Sequence, residues 1–80
     1  MTAQELTEKI ENGSDILFDV MGRHFGIFTW PDEGIGIDER APHSMGMRYY
    51  KSAEELISSF TIDGKPLADI ADQVMITDYT

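Results

Sequence analysis

Two histidines, His24 and His43, carry the side chains of this sequence that change charge most readily near neutral pH. Asp38 and Glu39 lie between them, so the four residues could together offer nitrogen and oxygen ligands to a metal ion. Transition-metal sites need three or four converging ligands, and neither histidine has a spaced partner such as a second histidine one helical turn away. We therefore expect no metal site and no cofactor, with both histidines at the surface.

Nucleophilic and acid–base catalysis find little support in the sequence. The chain has no cysteine, its serines lie in no nucleophile-elbow motif, and Ser52 is better explained as a helix cap. A pair of carboxylates could act as acid and base, but that chemistry needs a substrate cleft, which a chain of 80 residues rarely encloses. The sequence therefore predicts a protein that is not an enzyme.

The overall charge excludes some classes of partner. Fifteen acidic and six basic residues give a formal net charge of −9, which disfavours nucleic acid and anionic membranes, because binding phosphate requires Lys and Arg. The N-terminal residues do not resemble a secretory signal, and no segment has the roughly 18 apolar residues of a membrane helix. Because a cysteine-free chain fits a reducing compartment, we expect a single cytoplasmic domain over residues 1–80.

The elements that must position these residues begin with a helix and a hairpin. The capping box Thr2-Ala3-Gln4-Glu5 and apolar residues at spacings of three and four predict a helix over Ala3–Asn12. From residue 15 the apolar period becomes two, which is typical of strands. With Gly22 at the first position of a two-residue type II′ turn, Val20 would pair with Phe25.

A third strand, Ile35–Glu39, is predicted after the turn Pro31–Gly34. If Trp30 pairs with Ile35, both isoleucines of this strand lie on the same face of the sheet as Phe28 and Trp30. A register shifted by one residue places them on the opposite face. The sequence does not choose between these two registers.

The C-terminal half is predicted to contain an exposed loop and two helices. The loop covers Arg40–Arg48, and the tyrosines that follow could form a short extended segment. A second capping box, Ser52–Glu55, opens a helix that ends near Phe60, and Pro66 then begins a shorter helix. Residues 75–79 either add a strand at a sheet edge or lie over the helices.

These elements predict an α+β fold: an N-terminal helix, a three-stranded antiparallel meander and two C-terminal helices, with or without a C-terminal edge strand. Several segments also resemble a known group: Ser52–Ile57, Phe60, Ile62–Leu67 and Asp69-Ile70, after the strand Phe25–Phe28. These segments look like small uncharacterised single-domain proteins of Gram-positive bacteria and their mobile elements. The likeness spans most of the chain, and it implies a compact fold and a bacterial or phage source without assigning any site.

Large aromatic and flexible thioether side chains suggest a function. Such side chains contribute most at protein interfaces, and a sheet face that no helix covers would expose several of them. The candidate partner-binding residues are Phe28, Trp30, Met45, Met47, Tyr49 and Tyr50. They predict a small, acidic, non-enzymatic interaction module whose partner is another protein or a second copy of the chain.

The alternative hypothesis is an acidic inhibitor that mimics nucleic acid. Carboxylates arrayed over one surface could occupy the sites where a nucleic-acid-processing protein expects phosphates, as inhibitors made by mobile elements do. The residues that would form this array are Glu5, Glu8, Glu11, Asp32, Glu33, Asp38 and Glu39. The hypothesis requires them to lie on one surface at spacings comparable to those of a phosphate backbone.

Overall fold

The computed structural model describes residues 1–13 and 15–80. Its elements in chain order are α1 (Ala3–Asn12), β1 (Asp15–Val20), β2 (Arg23–Trp30), β3 (Gly34–Glu39), β4 (Arg48–Tyr50), α2 (Ala53–Ser59), β5 (Thr61–Ile62), β6 (Lys65–Pro66), a 3₁₀ helix (Leu67–Gln73) and β7 (Met75–Tyr79). The fold is α+β. A five-stranded antiparallel sheet in the order β4-β3-β2-β1-β7 packs one face against the three helices, and β5 and β6 form a separate hairpin.

Both α-helices begin at the predicted caps. In α1 the Thr2 hydroxyl accepts from the Glu5 amide at 3.1 Å, and the Glu5 carboxylate accepts from the Thr2 amide at 2.9 Å. In α2 the Ser52 hydroxyl accepts from the Glu55 amide at 3.1 Å, whereas the Glu55 carboxylate accepts from the Lys51 amide at 3.5 Å. The predicted capping box is therefore complete in α1 and half-formed in α2.

The β1–β2 hairpin turns one residue earlier than predicted. Met21 and Gly22 are the two turn residues, with φ of 53° and 75°, and positive φ at both positions is the signature of a type I′ turn. Val20 consequently pairs with Arg23 and Phe18 with Phe25, so the predicted Val20–Phe25 pairing is wrong by two residues. A shift of two preserves the faces, because side chains alternate with a period of two.

The β2–β3 register is the shifted one of the two considered. Trp30 pairs with Gly34 and Ile27 with Ile37, so the isoleucines of β3 lie on the helix-covered face. Ile37 is fully buried there, and burying such a side chain stabilises the fold by roughly 1.5–3 kcal/mol. Gly34 has a φ of 97°, which glycine adopts readily, and a Cβ at this position would lie 2.6 Å from the Tyr50 carbonyl oxygen of β4.

The sheet is larger than the predicted three-stranded meander. The segment with the two tyrosines forms β4 beside β3, and residues 75–79 form β7 beside β1, so the C-terminal segment is an edge strand. The predicted second C-terminal α-helix is wrong in detail. Pro66 ends β6, and the following segment is a 3₁₀ helix broken at Ile70 (φ −116°, ψ 15°), which still buries its apolar residues.

The core lies between the helices and the covered face of the sheet. Phe18 and Phe25 stack at its centre with their ring centroids 5.5 Å apart. The buried apolar residues are Leu6, Ile10, Ile16, Phe18, Val20, Phe25, Ile27, Ile37, Ala53, Leu56, Ile57, Ile62, Leu67, Ile70, Ala71 and Val74. Within the described part of the chain, no helix combines the length and the apolarity that crossing a membrane requires.

Candidate functional site

The second face of the sheet is the candidate site. Cross-strand partners point to the same side of a sheet, so the register identifies the strand residues that face away from the helices. We call this surface the open face: Asp15, Leu17, Asp19, His24, Gly26, Phe28, Trp30, Gly34, Gly36, Asp38, Tyr49, Met75 and Asp78. Across residues 1–13 and 15–80, the helices pack on the other side of the sheet, so the open face remains accessible.

Large apolar side chains gather at the end of the open face nearest the β2–β3 turn. Trp30 and Tyr49 are each 45% exposed, and their apolar neighbours on this surface are half-buried. We call this group the aromatic strip, and it consists of Leu17, Phe28, Trp30, Met47 and Tyr49. It spans strands from β1 to β4, with Met47 coming from the loop just before β4.

Two glycines let the aromatic strip lie flat on the sheet. A Cβ added to Gly26 would be 2.8 Å from the Phe28 ring, and a Cβ added to Gly36 would be 2.7 Å from the Met47 sulfur. Both distances are too short for real side chains, so the ring and the thioether occupy space that only glycine leaves free. Phe28 and Met47 are therefore packed directly against the backbone of the sheet.

A carboxylate lies beside the hydroxyl of Tyr49. Glu33 raises the pKa of Tyr49 above its ordinary value, mainly because the phenol interacts better with this carboxylate when it keeps its proton. Glu33 belongs to the β2–β3 turn and Tyr49 to β4, so the edge strand and that turn meet at this point.

The rest of the open face is acidic. Asp15 and Asp19 come from β1, Asp38 from β3 and Asp78 from β7. His24 Nδ1 lies 2.5 Å from Asp19 Oδ1, and Asp38 accepts from the Ser44 hydroxyl and, at 3.2 Å, from the Met45 amide. These contacts hold two of the four aspartates in defined positions.

Arginines lie on the opposite side of the sheet. Arg23 donates to both carboxylate oxygens of Glu39, at 2.9 and 2.7 Å, and Arg48 shares the side of its cross-strand partner Ile37. The hydrogen bonds from Arg23 hold the pKa of Glu39 below its ordinary value, and they raise the pKa of Arg23 itself. Among the described strand residues, the open face therefore carries four aspartates and neither lysine nor arginine.

The structure brings four of the six predicted contact residues together. Phe28, Trp30, Met47 and Tyr49 all belong to the aromatic strip. Tyr50 lies on the covered side and packs against the core, because it pairs with Ile35. Met45 is 89% exposed in the loop and is separate from the strip. Residue type selected these six, whereas the alternation of strand residues separates Tyr49 from Tyr50 and adds Leu17 to the strip.

The acidic residues of the mimic hypothesis are placed less favourably. Glu5 caps α1, Glu33 lies beside the Tyr49 hydroxyl, and Glu39 pairs with Arg23. Asp38 accepts two hydrogen bonds from the loop before β4. The other three, Glu8, Glu11 and Asp32, are exposed and lie on two separate elements, α1 and the β2–β3 turn.

A second region that could hold a ligand lies beside the β1–β2 turn. A cleft of about 500 Å³ there is lined by Gly22, Arg23, His24, Glu39, Arg40, Ala41, Pro42 and His43. Arg23 and Glu39 neutralise each other within it, and the described side chains that line it carry no hydroxyl or thiol. In the described residues, no group of three His, Cys, Asp or Glu side chains converges in a way that could hold a metal ion.

Comparison with known proteins adds no relative. Searches with protein-family models, among curated proteins and among solved structures find no match to this chain.

Proposed function

We propose that this protein is a small, non-enzymatic interaction module of the cytoplasm that binds another protein through its open face. The observation that carries the proposal is the exposed aromatic strip on a sheet face that the helices leave uncovered. Contiguous apolar surface of this kind marks interaction sites in soluble proteins. Trp and Tyr are also the residues that most often dominate binding energy at interfaces.

The way the strip is held supports binding over incidental exposure. Phe28 and Met47 lie over glycines and pack against the backbone. Side chains that are ordered before binding lose less conformational entropy when a partner covers them. The exposed rings of Trp30 and Tyr49 add apolar area that a partner can bury.

A matched pair of charge-adding variants tests the proposal. Trp30→Glu places a charge in the aromatic strip, whereas Gln4→Glu places the same charge on an exposed position of α1. Tagged proteins that circular dichroism shows to be folded are used to recover partners from a bacterial lysate. We expect a partner that Gln4→Glu retains and Trp30→Glu loses. Equal recovery by both variants would contradict a role for the open face.

The acidic inhibitor hypothesis predicts the opposite pattern in the same experiment. A nucleic-acid-processing protein bound through carboxylates would be retained by Trp30→Glu. It would be released by raised salt and by charge reversal of the three exposed acids Glu8, Glu11 and Asp32. We favour the interaction module, because the seven acids that the inhibitor hypothesis needs lie on α1, the β2–β3 turn and β3, and Asp38 and Glu39 point to opposite faces of the sheet.

A further inference from the structure

We propose that the partner of the open face is a basic, amphipathic segment of another protein. Its apolar side chains would cover the aromatic strip, and its Lys or Arg side chains would meet the aspartates beside it. This inference rests on the proposed function, because it specifies the partner of the same surface.

The residues of the open face are arranged in rows, which sets the spacing that such a partner must match. Phe28 lies in one row with Asp15, Gly36 and Tyr49, and the next row along the strands contains Asp38, Gly26, Leu17 and Asp78. The row after that contains His24, Asp19 and Met75. Because side chains on one face repeat every two residues, the rows are about 7 Å apart. Carboxylates therefore lie in the Phe28 row itself and in the rows roughly 7 and 14 Å beyond it.

Charge complementarity identifies the partner as cationic. The described strand residues of the open face include four aspartates and no lysine or arginine, and Arg23 and Arg48 belong to the other side. Arg40 follows β3 and lies beside His24, at the end of the open face farthest from Trp30. The chain as a whole carries a formal charge of −9. A basic partner is attracted by this field and matches the local charges, whereas an acidic partner is repelled. Arginine fits especially well, because its planar group also stacks on Trp and Tyr rings.

The same charges argue against a second copy as the occupant. In a two-fold symmetric dimer each surface meets the same surface of its partner. Two open faces would bring two sets of four aspartates together without a lysine or arginine from the described strands to separate them. Like charges at an interface oppose association, so a basic segment from a different protein is the better complement.

Two of the aspartates are already positioned to receive a cation. Asp19 is held by His24, and Asp38 by the Ser44 hydroxyl and the Met45 amide. A carboxylate oxygen accepts more than one hydrogen bond, so these contacts leave acceptor capacity for a guanidinium or ammonium group. Asp19 and Asp38 are therefore the residues whose charge should matter most to a basic partner.

An unbiased peptide selection tests the inference. Random peptides about 12 residues long, displayed on phage, are selected on the full chain, and the enriched sequences are compared with the unselected library. We expect enrichment of Arg or Lys beside aromatic or aliphatic residues. The synthetic form of an enriched peptide is then the probe for binding measurements on variants.

Two double variants provide the decisive comparison, because each removes two negative charges but from a different part of the protein. Asp19→Asn with Asp38→Asn removes two of the four negative charges of the open face while it keeps side chains of the same shape. The control, Asp69→Asn with Asp72→Asn, makes the same change in net charge on exposed positions of the 3₁₀ helix. At low ionic strength we expect the first pair to weaken the peptide about ten-fold and the control less than about two-fold, a difference that shrinks as salt is raised.

The outcomes separate this inference from the proposed function. Two results would overturn the basic partner and leave the open face as a binding surface. In the first, Trp30→Glu fails to bind the selected peptides, but these peptides contain no excess of basic residues. In the second, the Asp19/Asp38 variant binds the peptides as well as the original protein does. Peptides that ignore Trp30→Glu, or the absence of any enrichment, would contradict both. A dimer in sedimentation that Trp30→Glu abolishes would assign the open face to a second copy and overturn the inference.

Discussion

The two faces of the central sheet are built from the same strands and differ sharply in what they contact. On the covered face, Phe18 and Ile37 are fully buried beneath the helices. On the open face, Trp30 and Tyr49 keep 45% of their surface in contact with solvent. Neighbouring residues of one strand thus belong to different environments. The covered face supplies the stability of the fold, and the open face retains apolar surface that folding does not use.

Among the variants considered, a substitution of Phe18 on the covered face should cause the largest loss in the free energy of unfolding. Phe18→Ala removes a ring that is fully buried and stacked on Phe25, and such truncations cost about 3–5 kcal/mol. Trp30→Ala, on the open face, should lower the free energy of unfolding by much less. Urea denaturation monitored by circular dichroism measures both. Equal losses would mean that the open face is part of the structural core.

Adding one methyl group to the open face should cause the next largest change in the free energy of unfolding. Gly26→Ala places a Cβ 2.8 Å from the Phe28 ring, so the ring must move, and overpacking of this kind costs about 1–3 kcal/mol. The cost should largely disappear in a Phe28→Ala background. Denaturation of the two single variants and the double variant measures the coupling. Additive losses would show that Phe28 does not lie over Gly26.

The pH dependence of stability in acid tests the contribution of the Arg23–Glu39 ion pair, which lies at the end of the covered face. Because Arg23 lowers the pKa of Glu39 in the folded protein, the pair stabilises the fold above the unfolded pKa of Glu, about 4.3. That contribution is lost as the pH falls through the lower folded pKa. Glu39→Gln should therefore reduce stability at neutral pH and flatten its decline in acid, as measured by urea denaturation across this range.

The control for this titration is Glu54→Gln, which removes the same charge from an exposed position of α2 and leaves the Arg23–Glu39 pair intact. It should reduce stability at neutral pH less than Glu39→Gln does. An equal change in the two variants would mean that general charge, and not the pair with Arg23, causes the effect.

A substitution in the turn that joins β1 to β2 should cause the smallest change in the free energy of unfolding. Met21 occupies the first position of the type I′ turn at φ 53°, where Asn before Gly is strongly preferred. Met21→Asn should therefore raise the free energy of unfolding by about 0.5–1 kcal/mol, as thermal or urea unfolding would show. Because the turn lies away from the aromatic strip, binding of the selected peptide should stay unchanged. A loss of stability would contradict the assigned turn.

Local signals predicted the helices and the first hairpin better than the sheet as a whole. The bounds of α1 and the start of α2 follow from caps and apolar spacing that lie within a few residues. The 3₁₀ helix was predicted as an α-helix because its buried residues, Leu67, Ile70 and Ala71, have helical spacing. The spacing does not indicate the break at Ile70.

In the candidate site, too, local signals predicted some features and missed others. Residue type alone identified Phe28, Trp30, Met47 and Tyr49, but it also selected Tyr50, which the pairing of β4 with β3 turns towards the core. Nothing local indicates which of two adjacent tyrosines faces inwards. The choice depends on the register of a strand whose partner lies more than ten residues away in the chain.

The sequence by itself determined the capped N-terminal helix, the alternation that gives β1 and β2 two different faces, and the acidic excess of the chain. Only the tertiary structure decided the register of β3 and the addition of β4 and β7 at the two edges of the sheet. The physical reason is that competing registers satisfy the same backbone hydrogen bonds. They differ in whether Ile35 and Ile37 reach a core that exists only after the helices have packed.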